Sequence, residues 1–275
     1  MNFKGGTGCF QPLSHAAKGS AMDALLAPDE GPAVEVREGG GGFVVVCEHA
    51  SRRLPKSLGD LGLAVADLTR HIAWDPGAAD VARRLAGTLD ADLVLQRFSR
   101  LVVDCNRDPA LPSAFVTVAE DTTVPGNLDL VDAEKARRME AIWTPFHAAV
   151  DRLLDRRREA GRPSALVTVH SFTPVFRGES RPWHVGFVST EERSFTEAML
   201  SAMRRDRSLV VGDNQPYSAK DDVDYTIRRH GRDRGVPSVM IEVRNDLLAD
   251  EAGRSAWAER LSLAIGSFEA EARAA

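Results

Sequence analysis

Phe43-Val44-Val45-Val46-Cys47-Glu48-His49-Ala50-Ser51 is an unbroken apolar run that stops abruptly at a carboxylate and an imidazole. A strand that is apolar at every position, rather than at alternate ones, is suited to burial on both faces, the condition of a central strand in a sheet covered by helices. Similar short runs fall at residues 93–98, 101–105, 165–170, 184–188, 208–211 and 238–243. Between them the period lengthens. Met139, Ile142, Trp143, Phe146, Val150, Leu153 and Leu154 recur at helical spacing, with Pro145 expected to kink or break that helix. Gly161-Arg162-Pro163 is a stop signal, and a last amphipathic helix is predicted over residues 250–272. Short strands alternating with longer helices predict an α/β fold, a mostly parallel twisted sheet flanked by helices.

Upstream of the first strand, residues 1–40 are rich in glycine and small polar residues without sustained periodicity, and are expected to form a flexible leader, with Met22 a possible start. Residues 41–275 are expected to form one domain. The apolar runs are far shorter than the roughly 20 residues that span a bilayer, so no membrane segment is expected. A net charge of −5, with basic and acidic residues interspersed, offers no basic stripe to a phosphate backbone and argues against nucleic acid. Cys9, Cys47 and Cys105 are too few and too scattered for a disulfide framework, which suits a reducing cytoplasm.

In an open α/β sheet, functional groups gather where strands end. Here the predicted strands deliver Glu48-His49, Asp104-Cys105-Asn106-Arg107, His170-Ser171 and Glu242-Val243-Arg244 to such ends. Two imidazoles, a carboxylate and an open position make a hydrolytic zinc site. His49 and His170 are the candidate nitrogen ligands. The third ligand is Asp75, in Ala73-Trp74-Asp75-Pro76-Gly77, or Glu48. Strand alternation turns Glu48 away from His49 unless the chain bends between them, which favours Asp75.

Taken together, Glu48-His49-Ala50-Ser51 with Pro55, the Asp75 segment, Ser99-Arg100-Leu101-Val102-Val103-Asp104-Cys105-Asn106-Arg107, His170-Ser171, Tyr225 to Gly231 and Ile241-Glu242-Val243-Arg244 resemble the N-formylglutamate amidohydrolase family over about residues 43–247. That family is similar to the zinc carboxypeptidases, so the resemblance implies a phosphorylase/hydrolase-like fold of the zinc carboxypeptidase type and one zinc ion. Carboxypeptidases carry a glutamate ligand three residues after the first histidine. Arg52 stands there in this chain, and the third ligand is not carried over. The resemblance also implies that Glu242 is the general base and acid and that Arg107, assisted by Asn106, binds a substrate carboxylate. Both roles suit the side chains: a carboxylate can take and return a proton, and a guanidinium fork matches a carboxylate bidentately. Arg229, with Tyr225, is the expected second cation for a dicarboxylate.

Tyr217 could donate to a developing oxyanion, and Arg100 is a substrate or supporting residue or a surface arginine. His71, His147 and His184 are read as core or surface residues. The resemblance thus implies hydrolysis of an N-acyl amino acid, with N-formylglutamate giving formate and glutamate. A related hydrolase of another N-acyl amino acid or small peptide, and a non-catalytic carboxylate-binding protein, are the alternatives.

Overall fold

The computed structural model describes residues 24–162, 164–218 and 224–274. Among the described residues there are eleven strands: β1 Val34–Arg37, β2 Phe43–Cys47, β3 Asp92–Gln96, β4 Val118–Ala119, β5 Thr122–Thr123, β6 Ala165–Phe172, β7 Val175–Phe176, β8 Glu179–Ser180, β9 Val185–Val188, β10 Val211–Asp213 and β11 Ser238–Arg244. The α-helices are α1 Val65–Thr69, α2 Ala78–Thr88, α3 Asp132–Arg138, α4 Thr144–Glu159, α5 Ser194–Met203 and α6 Glu251–Ala274. One seven-stranded sheet runs in the order β1-β3-β2-β6-β11-β9-β10, while β4-β5 and β7-β8 are separate two-stranded hairpins. Strands β3, β2, β6 and β11 are parallel to one another. The edges are mixed: β1 runs antiparallel to β3 and β9 antiparallel to β11. The architecture is α/β, a mostly parallel mixed sheet flanked by helices.

Alternation within the apolar runs divides the core into two layers. Val45 and Cys47 of β2, Val167 and Val169 of β6, and Val239, Ile241 and Val243 of β11 pack on one face beneath α2, α5 and α6. Val44, Val46 and Leu166 point the other way, onto Phe146, Ala149, Val150 and Leu153 of α4. Each fully buried aliphatic side chain contributes about 1.5–3 kcal/mol, so the central strands cannot be peeled from either layer cheaply. By the same alternation His170 and Glu242 fall on the face that bears Leu166 and Met240. They lie near the C-terminal ends of their strands.

The sequence expectations meet four corrections. Residues 34–37, assigned to a leader, form an edge strand paired with β3, and Leu25 is buried; residues 1–23, including Cys9 and Met22, lie outside the described residues. Residues 101–105 are buried but not a strand, because their backbone groups bond locally: Leu101 N donates to Ser99 Oγ and Asn106 N to Asp104 Oδ1. Residues 208–210 are not a strand: Ser208 closes a turn on Asp206, and the strand begins only at Val211. Pro145 does not break its helix: the backbone stays helical from Asp132 through Glu159. A π-helical turn, Met139–Trp143, directly precedes it and runs on into α4, accommodating the proline.

Candidate metal centre and active-site cleft

Three parallel strands bring the polar residues together. His49 follows β2 directly, His170 lies in β6, and Glu242 in β11 is the register partner of His170. Asp75 reaches them from the loop before α2. Its amide donates to His49 O at 2.9 Å, and its Oδ2 accepts from Ser171 N at 3.2 Å. The turn that follows depends on Gly77, whose φ of +82° opens α2 and whose hydrogen stands where a Cβ would meet Leu248 Cβ at 2.5 Å.

His49, Asp75 and His170 each offer a ligand atom within 4.8 Å of the others, and all three are buried. The Nδ1 atoms of both rings face Asp75 Oδ2, at 3.4 Å for His49 and 2.9 Å for His170. The far side of each ring meets another carboxylate. His49 Nε2 lies 2.7 Å from Asp104 Oδ1, and His170 Nε2 lies 3.0 Å from Glu48 Oε2, at an angle poor for a hydrogen bond. Glu48 therefore stands behind His170, on the side away from Asp75.

This pattern has a chemical consequence. Asp104 is held well below the usual carboxylate range because Arg100, His49 and Arg107 outweigh its burial. An ionised carboxylate only accepts, so His49 donates from Nε2 to Asp104, while its Nδ1 faces a second anion, Asp75. Burial opposes charge on Asp75 too, but the two imidazoles hold its pKa well down. An imidazole nitrogen facing a carboxylate calls for positive charge between them, a proton on the ring or a metal ion. The 3.4 Å spacing is close to that of two ligands on one tetrahedral ion with bonds of about 2.0–2.1 Å. His170 is in the same position: burial lowers its pKa, yet Glu48 and Asp75 on its two sides raise it well above the ordinary value, so the pocket favours positive charge there. Two imidazoles, an anionic oxygen and carboxylates orienting the far nitrogens fit a divalent metal.

The cleft over this centre holds about 380 Å³ of empty space, part of it open to solvent, and is lined by His49, Asp75, Arg100, Asn106, Arg107, His170, Ser171, Tyr217, Asp224, Met240 and Glu242. Glu242 is pushed up to about 8, chiefly by burial and further by the charges of Asp75 and Asp224, with His170 and Arg100 pulling the other way. Arg100 is committed to Asp104, donating to Oδ2 from Nε at 3.1 Å and from Nη2 at 2.7 Å. Arg107 is not. Its Nε is 3.7 Å from Asp104 Oδ2, and its terminal nitrogens make no hydrogen bond among the described residues. Asn106 spends its carbonyl on Thr226 N at 3.0 Å, tying the segment that carries Asp224 to the floor of the cleft.

Tyr225 and Arg229, expected to bind substrate, are not brought into the cleft. Arg229 donates to Asp151 Oδ2 of α4 at 3.0 Å and to Tyr225 Oη at 3.2 Å, so a carboxylate of this chain already occupies its fork. Behind them His147 Nε2 approaches Cys105 O at 2.9 Å, and its Nδ1 approaches His230 Nε2 at 2.8 Å, buttressing the Asp104–Asn106 turn from below. His184 Nδ1 accepts from Val210 N, and His71 lies beside Glu120. The sequence reading assigned no role to Asp104 or Asp224. Asp104 carries a recognisable signal, an acid between two arginines in Arg100-Leu101-Val102-Val103-Asp104-Cys105-Asn106-Arg107; Asp224 carries none.

The N-formylglutamate amidohydrolase family matches residues 41–249. The chain is 42% identical to gene product Atu2144 from Agrobacterium tumefaciens, whose crystal structure aligns with a TM-score of 0.88 over 90% of this chain and 99% of that one. The crystal structure of N-formylglutamate amidohydrolase from Ralstonia eutropha JMP134 shares the fold at 19% identity, with a TM-score of 0.65 over 88% of this chain and 99% of that one. No curated protein matches the chain at a significant level.

Proposed function

The chain belongs to the N-formylglutamate amidohydrolase family, and from that premise and the cleft we propose that it is a zinc-dependent hydrolase of the amide bond in N-acyl amino acids, with N-formylglutamate as substrate. The observation that carries the reading is that buried His49, Asp75 and His170 each offer a ligand atom within 4.8 Å of the others, in the same cleft as Glu242. His49, Asp75 and His170 would hold the ion. Bound there, zinc supplies Lewis acidity, polarising the acyl carbonyl and lowering the pKa of water.

The remaining work falls to side chains. Glu242 takes a proton from the attacking water and returns it to the amine nitrogen as the C–N bond breaks, which its position and raised pKa suit. Arg107, with terminal nitrogens uncommitted, binds the substrate carboxylate as a fork and sets the scissile amide over the centre. Arg100 and Asp104 hold His49 in its ligating tautomer. Addition of one water to N-formylglutamate gives formate and glutamate. No helix among the described residues is long and apolar enough to cross a membrane, and the buried free thiols of Cys47 and Cys105 suit a reducing compartment such as the cytoplasm.

The test is a metal analysis of the purified protein followed by a panel of N-formyl and N-acetyl amino acids. One equivalent of zinc with turnover fastest on N-formylglutamate is expected. A protein that binds no divalent ion, or binds one and hydrolyses none of the panel, refutes the reading.

A further inference from the structure

Tyr217 lines the cleft together with Glu242 and His170, and two independent features hold it there. The first is the seat of its loop on β9. Asn214 N donates to Phe187 O at 2.9 Å, and Asn214 Oδ1 accepts from Ser189 N at 3.2 Å. Gly186 allows the close approach, since a Cβ at that position would fall 1.7 Å from Gln215 O. Gly186 is also the register partner of Glu242, so the loop that carries Tyr217 is packed on the strand next to the proposed base.

The second feature is Arg181, at the end of the β7-β8 hairpin. Its guanidinium lies 4.4 Å from the Phe176 ring, 5.1 Å from Tyr217 and 5.9 Å from Phe172. Its Nη1 donates to Tyr217 Oη at 3.3 Å. Arg181 is half-buried and makes no ion pair among the described residues, unlike Arg100 on the same cleft. Stacking on three rings leaves it little freedom, and the phenol oxygen is the polar partner it has found.

Arginine only donates, so Tyr217 Oη is the acceptor of this bond and its own proton remains to be given elsewhere. A cation held against the oxygen strengthens that O–H as a donor. We infer that Tyr217 donates a hydrogen bond to the acyl oxygen as negative charge develops on it during water attack, and that Arg181 is a positioning residue that aims and polarises the phenol. The inference rests on the hydrolase reading above. No proton is transferred by Tyr217; the bond strengthens as charge accumulates, which is the condition for a contribution to rate rather than to substrate binding.

The experiment compares Tyr217→Phe, Arg181→Met, Arg181→Lys and the Tyr217→Phe/Arg181→Met double variant, each with wild-type zinc content and an unchanged melting curve, on the N-acyl amino acid that the wild type hydrolyses. Tyr217→Phe is expected to lower kcat about 100-fold, the scale of one lost oxyanion donor, with KM within about threefold. Arg181→Met should lower kcat about 10-fold, Arg181→Lys should recover part of that, and the double variant should be no slower than Tyr217→Phe because both changes act through one hydroxyl. Calorimetry supplies a readout apart from turnover: a phosphonamidate mimic of the tetrahedral intermediate should bind Tyr217→Phe at least about 10-fold more weakly, while the amino acid product binds as to the wild type. Unchanged kcat in Tyr217→Phe, independent losses in the double variant, or equal weakening of mimic and product would overturn the inference. A wild type inactive on every N-acyl amino acid rejects the hydrolase reading and this one with it; an active wild type with a fully active Tyr217→Phe rejects this one alone.

Discussion

Asp104→Asn tests whether the buried carboxylates behind the histidines matter to the metal centre. Asp104 Oδ1 lies 2.7 Å from His49 Nε2 and accepts from Asn106 N at 2.9 Å, while Oδ2 takes two bonds from Arg100. Asparagine preserves the shape and one acceptor. If its oxygen faces His49, its amide group confronts the Arg100 guanidinium, donor against donor. If its amide group faces His49, the imidazole must carry its proton on Nδ1, the nitrogen that faces Asp75 and would bind the ion. Either outcome weakens His49 as a ligand without removing it, and groups that orient a metal-bound histidine are worth about 10–100-fold in affinity, or about 1.4–2.8 kcal/mol. Competition of the metal-free variant with a chromophoric chelator at pH 7.5 measures this directly. Wild-type affinity would show that Asp104 does not set the tautomer. A loss as complete as that of His49→Ala would show that Asp104 is itself a ligand.

Three further outcomes follow from the same geometry. Asp75→Ala should weaken metal binding far more than Glu48→Ala, because Asp75 faces both Nδ1 atoms and Glu48 lies behind His170; equal losses in a chelator titration would reverse the assignment. Glu242→Gln should keep metal and fold but lose about 100-fold or more in kcat, whereas Arg107→Lys should act mainly on KM for a substrate with a free carboxylate and little on its amide. Steady-state kinetics on both substrates separate the two roles, and an unchanged kcat for Glu242→Gln would remove the base. Burial, reinforced by the charge of His230, holds His147 at about 3, below its ordinary value of 6.5. The stability gained from keeping it neutral is therefore complete above about pH 6.5 and is lost as pH falls toward about 3, by about 1.4 kcal/mol per unit. Urea unfolding of metal-free protein between pH 7 and 4.5 should show wild type losing stability faster than His147→Gln; parallel curves would refute the assignment.

The central strands were legible because two-sided burial leaves an unmistakable composition: the run at 43–47 is β2, and 238–243 is β11 but for its last residue. Strand 165–170 continues through Phe172. Where apolar sequence and strand part company, at 101–105, the cause is local. Ser99 and Asp104 offer side-chain oxygens to the backbone amides that a neighbouring strand would otherwise bond, and hydrophobicity alone does not distinguish a buried loop from a buried strand. The edge strand Val34–Arg37 escaped for the opposite reason: exposed on one side, its residues Val-Glu-Val-Arg alternate over only four positions beside glycine-rich sequence.

The site was legible to the extent that its residues interrupt a pattern. His170 and Glu242 are ionisable positions inside strands that are otherwise mostly apolar, and burying an imidazole or a carboxyl there costs several kcal/mol unless a partner or a function compensates. A polar residue at the end of a two-sided strand therefore carries more information than the same residue in a loop. Asp75 stands in a loop, and its selection over Glu48 needed the period-two argument. The same argument could not reveal that Glu48 turns to the far nitrogen of His170, because that depends on a cross-strand neighbour. Tyr225 and Arg229 mark the limit. They occupy positions implied by resemblance, but whether an arginine is available to a ligand is decided by the nearest carboxylate, and Asp151 lies some 70 to 80 residues away in sequence. For arginines in particular, the residue type announces anion binding, and only the packing tells which anion.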